Sequence, residues 1–322
     1  MNVVRWGIIG AGEIVRKRVA AAIRNCENSE LVSISRGRAD LAEAAAAEVG
    51  ARKWFADWRT QIADPEIDAV YVATPVFLHA EQTIAAAAAG KHVLCEKPMA
   101  LNVAECDSMI AACEANNVKL GIAYYRHFYP VIERAKEIIA AGEIGRAALA
   151  QINAFEHIDM QSGDPRHWFV EKEKSGGGPM MDFGCHRLEV LVNLFGDVDA
   201  VAGMFSGSVY EREIEDTAVA TLHFGSGVTA TVSVTHATNI PKDTLQIFGT
   251  NGCIDIPVLN SGRFIVTSGM DQREENLPPA ENIHQPLIED FVDSVLHNRV
   301  PAVDGRAGAY VSQLLEKIYD EK

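Results

Sequence analysis

The chain is 322 residues long, 48% apolar and 23% charged, with a formal net charge of -15. That length exceeds what one core usually serves, so two domains are expected, each large enough to bury its own interior. No apolar run reaches membrane-spanning length, and the acidic balance argues against nucleic acid as the main partner while leaving room for a small anion held by local arginines.

Residues 3–9 read as a buried strand that runs straight into Gly10-Ala11-Gly12 and then an alanine-rich helix to about Asn25. The strand begins too early to leave room for a signal peptide. The six cysteines (Cys26, Cys95, Cys106, Cys113, Cys185 and Cys253) form no Cys-x-x-Cys pair, so no metal is expected and a reducing, cytoplasmic setting fits best. Strand, glycine turn and helix in this order bring backbone N–H groups and a helix N-terminus to a dinucleotide pyrophosphate, with Gly10, Gly12, Glu13 and Ile14 as the expected contacts. Val15 stands where G-x-G-x-x-G has its third glycine, so the motif rests on its context, and an ordinary tight turn is the alternative. Residues 31–35 form a second strand, whose end would normally present an acid to the adenosine ribose. Here that end holds Ser35-Arg36-Gly37-Arg38. A hydroxyl and guanidinium groups suit a 2′-phosphate, which favours NADP over NAD; the other reading is that both arginines are solvated loop charges.

Short β and α segments then alternate, the pattern of a doubly wound parallel sheet. Trp54 and Phe55 lie in a third strand and residues 69–73 form the fourth, ending in Thr74-Pro75. A crossover helix spans 77–89, with His79 near its start and Gly90 as its stop. Residues 92–94 deliver Cys95-Glu96-Lys97-Pro98 to the carboxyl edge of the sheet, and a helix over 103–116 and a strand over 119–123 complete six strands. Thr74, Pro75, His79, Glu96 and Lys97 are further expected cofactor contacts, although His79 also suits a structural place. Lys97 at that edge would favour a substrate alkoxide, with Glu96 anchoring it, or the two form a routine surface pair.

After Arg126 the pattern changes. A helix over 129–141 ends at Gly142, and strands follow at 146–156, 200–207, 217–224, 228–236 and 244–249, with turns at Gly225-Ser226-Gly227 and Asn251-Gly252. Alternation in 229–234 indicates a sheet with two different faces, and the uncovered face is a candidate for subunit association, so a homodimer or larger assembly is expected. The polar loop 157–175 carries Arg166 and Trp168, candidates for substrate contact or for packing within the loop. Residues 284–298 and 306–320 read as closing helices, and 271–282 as a polar, mobile connection. Between the loop and the later strands, Ser175-Gly176-Gly177-Gly178-Pro179 feeds a helix start, and Asp182 and His186, four apart, should share one face. Carboxylate and imidazole together suit a general base, whereas Asp182, His186, Glu189 and Asn193 also fit a solvated stripe.

Gly10-Ala11-Gly12, residues 89–98 (Ala-Gly-Lys-His-Val-Leu-Cys-Glu-Lys-Pro), residues 123–126 (Ala-Tyr-Tyr-Arg) and residues 176–186 (Gly-Gly-Gly-Pro-Met-Met-Asp-Phe-Gly-Cys-His) together resemble the Gfo/Idh/MocA family, which includes glucose-fructose oxidoreductase and inositol dehydrogenase. The resemblance implies an α/β chain: an N-terminal Rossmann domain with a doubly wound parallel sheet (1–122), then a substrate-binding and oligomerisation α+β domain with a large, mainly antiparallel open sheet (123–322). It also implies catalytic roles for Lys97, Asp182 and His186, with Arg126 beside the substrate. Histidine at 186 is more similar to the sugar and inositol dehydrogenases than to the dihydrodiol dehydrogenases. The function expected is hydride transfer between NADP(H) and a sugar, cyclitol or related polyol. A dinucleotide-binding sensor and an NAD-dependent glycosidase of the same fold are the alternatives.

Overall fold

A computed structural model describes residues 2–320. The chain divides into two compact units, the first formed by the residues up to Tyr125 together with Ala280–Ser312, the second by Arg126–Pro279 with the residues from Gln313 onward.

In the first unit, β1 (Val4–Ile9) leads through a π-helical turn (Val15–Val19) into α1 (Ala20–Asn25). The chain continues as β2 (Ser29–Ser35), α2 (Ala39–Val49), β3 (Lys53–Phe55), α3 (Trp58–Ile62) and β4 (Ala69–Val72). Next come α4 (His79–Ala88), β5 (His92–Cys95), α5 (Val103–Ala115) and β6 (Leu120–Ile122). All six strands are parallel, in the order β3-β2-β1-β4-β5-β6. Their apolar runs are nearly continuous, and all four residues of β4 are buried, as a sheet covered on both faces requires. The order reverses between β1 and β4, which makes the carboxyl ends of those strands the natural place for a ligand.

The second unit begins with α6 (Pro130–Ala140) and β7 (Ala147–His157), followed by α7 (Lys172–Ser175), a π-helical turn (Met180–Gly184) and α8 (Cys185–Phe195). Seven strands follow: β8 (Val198–Ser206), β9 (Thr217–Phe224), β10 (Thr229–Thr235), β11 (Ala237–Gly249), β12 (Gly252–Ile256), β13 (Arg263–Ser268) and β14 (Asp271–Asn276). They join β7 in one sheet of order β14-β13-β12-β11-β7-β10-β9-β8, antiparallel except where β7 meets β10. Ala218, Ala220 and Leu222 alternate with more exposed neighbours, Ala230, Val232 and Val234 in β10 alternate with half-buried ones, and this inner face packs on the π turn and α8.

Two expectations need correction. Residues 271–276 are not a loose connection but the edge strand β14, paired with β13 from Arg263 opposite Asn276 to Ser268 opposite Asp271. Its run of charges hid it, and such charges are what protect an exposed sheet edge. A single boundary at 122 also assigns Ala280–Ser312 to the second domain, whereas these residues return to the first unit. The cause is the apolar stripe of α9 (Gln285–Leu296): Leu287, Ile288, Phe291 and Val292 are buried, and the Phe291 ring lies 5.4 Å from that of Trp6 in β1. The last helix, α10 (Gly305–Asp320), contributes its opening turns to the first unit and its end to the second.

Candidate active site

The first unit supplies a dinucleotide cradle. Gly10 has φ +101°, and a Cβ there would sit 2.6 Å from the Ala73 carbonyl oxygen, so only glycine lets the turn cross β4. The turn is tied to both neighbouring strands, since Gly10 N donates to Ser35 O at 3.0 Å and Ala73 N to Ile9 O at 2.8 Å. Gly12 is different in kind. A Cβ on it would meet no protein atom within 4 Å, so protein packing does not demand a glycine there, while an approaching pyrophosphate would. Helix follows at once from Glu13, which pairs with Lys17, and Ile14 is half-buried. Val15, in the third glycine position, is fully buried and opens the π turn. The residues present therefore fit a dinucleotide.

Of the three groups at the end of β2, only Arg38 is paired with an acid. Arg38 holds Asp40 through Nε at 3.2 Å and a terminal nitrogen at 2.6 Å, which raises the arginine and lowers the carboxyl relative to their ordinary pKa values. The Ser35 side chain is buried, and its Oγ has no hydrogen-bond partner among the described residues. Arg36 is exposed, and no acid among the described residues pairs with it.

At the other side of the cradle, the Thr74 hydroxyl donates to Gln82 Oε1 at 2.7 Å, and Pro75 precedes a short 3-10 turn (Val76–Leu78). His79 is buried, with Nε2 2.8 Å from Thr74 O and Nδ1 3.0 Å from Pro98 O. Burial lowers its pKa. With both ring nitrogens turned to backbone carbonyls, His79 braces the end of β4 against the Glu-Lys-Pro turn, which leaves its ring no contact to offer a cofactor. Glu96 is buried beside Lys97. Its Oε1 accepts from Tyr71 OH at 2.8 Å, its Oε2 from the Lys97 backbone N at 3.2 Å, and His284 Nε2 lies 3.9 Å from Oε1. Burial pushes the Glu96 carboxyl above its ordinary pKa, against the opposing pull of Lys97 and Tyr71. Lys97 itself is half-buried.

In the second unit the glycine run serves the protein rather than a ligand. A Cβ on Gly178 would stand 2.1 Å from the Glu215 carbonyl oxygen, and one on Gly177 2.3 Å from Tyr319 Oη. The Glu215 carboxylate accepts from Gly178 N at 2.9 Å, Met180 N at 3.2 Å and Tyr319 OH at 2.8 Å, and so caps the N-terminal end of the helix that carries Asp182 and His186. Asp182 lies within the π turn and His186 in the first turn of α8, so the two are not the plain i, i+4 pair of a regular helix. His186 is 3% exposed and Glu189 5%, which removes the solvated-stripe alternative. Glu189 Oε1 is 2.7 Å from His127 Nδ1, and burial raises the carboxyl's pKa.

Arg126 is buried with a terminal nitrogen 3.4 Å from Asp243 Oδ2, and Arg187 bonds the other oxygen of the same carboxylate. In the loop, Arg166 is exposed with Nε 3.9 Å from Asp164 Oδ1, and Trp168 meets Phe169 edge-on at 5.5 Å. Sequence reasoning passed over Glu215, Asp243 and His236. His236 Nε2 lies 3.7 Å from Asp182 Oδ2. Its position was readable, since 230, 232 and 234 point inward along β10 and 236 continues that parity.

Residues 4–124 match the family model described as an oxidoreductase family with an NAD-binding Rossmann fold, and residues 132–255 match the C-terminal domain model of the same family. A 1,5-anhydro-D-fructose reductase from Ensifer adhaerens is 31% identical over 95% of this chain and 92% of its own. A D-xylose 1-dehydrogenase (NADP(+)) from Haloferax volcanii is 28% identical over 98% of this chain and 96% of its own. Among solved structures, an aldose-aldose oxidoreductase from Caulobacter crescentus, complexed with glycerol, superposes with a TM-score of 0.90 at 28% identity, covering 99% of this chain and 97% of that one. Cradle, sheet order and whole-length similarity converge, and the chain belongs to the Gfo/Idh/MocA oxidoreductase family.

Proposed function

We propose that this NAD(P)-dependent oxidoreductase oxidises a secondary hydroxyl of a sugar, cyclitol or related polyol, or reduces the matching carbonyl, with NADP as its preferred cofactor. The observation that carries the cofactor choice is Arg36, an exposed guanidinium without an acid partner at the end of β2, where an acid would repel a 2′-phosphate. Arg38 contributes less, because Asp40 already neutralises it. Open space at Gly12 and the helix start at Glu13 suit the pyrophosphate. The NADP(+) in the name of the Haloferax relative supports the same choice, and the sugars named for all three relatives support the substrate class.

The bound nicotinamide supplies the acceptor or donor of the hydride. What the chain adds is proton and charge management. His186 takes the hydroxyl proton as the C–H bond breaks and returns it in the reverse direction. Asp182 orients the hydroxyl or the imidazole, and the Lys97 ammonium stabilises the negative charge that develops on the substrate oxygen. Arg126 and Trp168 are proposed to shape the sugar pocket, with Arg166 at its rim. Five of the six cysteines are buried free thiols, in keeping with a reducing cytoplasm, and the chain is proposed to act as a homodimer or tetramer.

The test is a panel of sugars, cyclitols and glycosides followed by nicotinamide absorbance and by product release, with both cofactors. Turnover of a free polyol with NADP above NAD is expected. Replacing Lys97 or His186 by Ala should lower kcat by roughly 100-fold or more, the scale of an acid-base or oxyanion-stabilising group. Arg36→Asp should reverse the cofactor preference. Tight nucleotide binding without turnover of any polyol would make the protein a sensor, and an unchanged preference in Arg36→Asp would refute the 2′-phosphate argument.

A further inference from the structure

His236 occupies the bend between β10 and β11 and is fully buried. Its backbone is fixed from three directions: N donates to Asp216 O at 2.8 Å, while O accepts from Ile158 N at 2.9 Å and Tyr210 OH at 3.2 Å. The ring is walled by Phe183, edge-on at 4.9 Å, and by Phe169, stacked at 6.1 Å. Two charged side chains face it. A terminal nitrogen of Arg212 is 3.4 Å from Nδ1, and Asp182 Oδ2 is 3.7 Å from Nε2.

Arg212 is held in place by two other carbonyls, Ile158 O at 3.1 Å and Glu215 O at 3.2 Å, and a guanidinium only donates. Nδ1 must therefore be the bare, accepting nitrogen, and the ring hydrogen sits on Nε2. That N–H is buried and has no hydrogen-bond partner among the described residues, and the Asp182 carboxylate is the acid that lies beside it. The 3.7 Å separation lies outside ordinary hydrogen-bond range. It is short enough for attraction between the N–H dipole and a carboxylate, and such contacts tighten when substrate fills a site.

We infer that His236 is the positioning residue of Asp182: Arg212 sets its tautomer, and its Nε2–H orients the carboxylate that serves the reacting hydroxyl. The inference rests on the role proposed above for Asp182, and the tests separate the two. In the unmodified protein, nitrogen-15 NMR of the imidazole should show His236 as the neutral Nε2–H tautomer; a proton on Nδ1 overturns the inference regardless of any variant. In kinetics, His236→Leu should lower kcat by about 10- to 100-fold with little change in KM, the scale on which an orienting outer partner acts. His236→Gln, which keeps a donor near the Nε2 position, should recover most of that loss. Combined with Asp182→Asn, His236→Leu should cost nothing further. Equal losses in the Leu and Gln variants, or additive losses in the double variant, overturn the positioning role while leaving Asp182 catalytic. An Asp182→Asn enzyme of normal rate instead defeats the underlying assignment.

Discussion

Glu96 shows how a residue next to a candidate catalytic group is held, and at what cost. Burial favours its protonated form in the folded chain, so its folded pKa lies above the value it has when unfolded. The sign follows from proton counting. Between the two pKa values the folded state binds more protons than the unfolded state, so the stability tied to Glu96 declines as pH rises from the ordinary carboxylate range through the raised value. Glu189, raised by burial beside His127, adds in the same direction. Glu96→Gln removes the titration but also puts an amide where Oε2 accepts from Lys97 N, a cost that does not vary with pH. Thermal melting of both proteins from about pH 4 to 8, across the ordinary carboxylate range, should therefore show the variant gaining on the parent as pH rises. A constant difference across that range would mean that Glu96 ionises as it does in water. None of this was visible beforehand: the sequence marks Glu96 as a neighbour of Lys97, but not Tyr71 and His284, which lie 25 residues upstream in one case and far downstream in the other.

At the scale of elements, two glycines that look alike in a motif have opposite tasks. Gly178→Ala forces a Cβ to within 2.1 Å of the Glu215 backbone, which cannot swing aside, and Glu215 caps the helix of Asp182 and His186. A loss of about 1–3 kcal/mol is expected, the usual cost of overpacking, read as a lower melting temperature. Gly12→Ala meets no protein atom within 4 Å. Its stability should change by no more than about 0.5 kcal/mol, while NADPH binding by titration weakens markedly. If both variants melt normally, the cap is not a constraint; if Gly12→Ala binds NADPH as the parent does, the cradle does not hold the pyrophosphate. The contrast explains what could be read early. The inner strands of the first sheet were legible because parallel strands buried on both faces are short apolar runs between glycine and helix signals. The edge strand β14 was not, because a sheet edge tolerates the charges that mark loops elsewhere. The π turns at Val15–Val19 and Met180–Gly184 escaped for another reason: an extra residue in a helical turn leaves no mark on composition. Lys97, Asp182 and His186 stood out through their motifs, whereas Glu215, just before β9, and His236, in the bend after β10, belong to no motif.

For the whole molecule, the issue is how an acidic chain of net charge -15 covers its open sheet. Like charges oppose the meeting of two copies, so an interface between them needs a neutral patch. The register of the sheet supplies one. Met204 of β8 pairs with Val219 of β9, then Ser233 of β10, Asn153 of β7 and Thr244 of β11. The next row runs Ala202, Thr221, Thr231, Gln151 and Gln246. Ten side chains in two rows carry no charge, while the edge strand β14 concentrates Asp271, Arg273, Glu274 and Glu275. Met204 is 79% exposed and its partner Val219 41%, an apolar pair that a second copy would bury. The homodimer proposed for this face should therefore tighten with added salt, because repulsion is screened while apolar burial is not. Light scattering on the parent at low and high salt measures that directly. Met204→Glu together with Val219→Glu should shift the mass towards the monomer without altering the melting curve of the isolated chain, since neither side chain enters the core. A parent that is monomeric at every concentration and salt level, or a double variant that still assembles, would move the interface off this sheet.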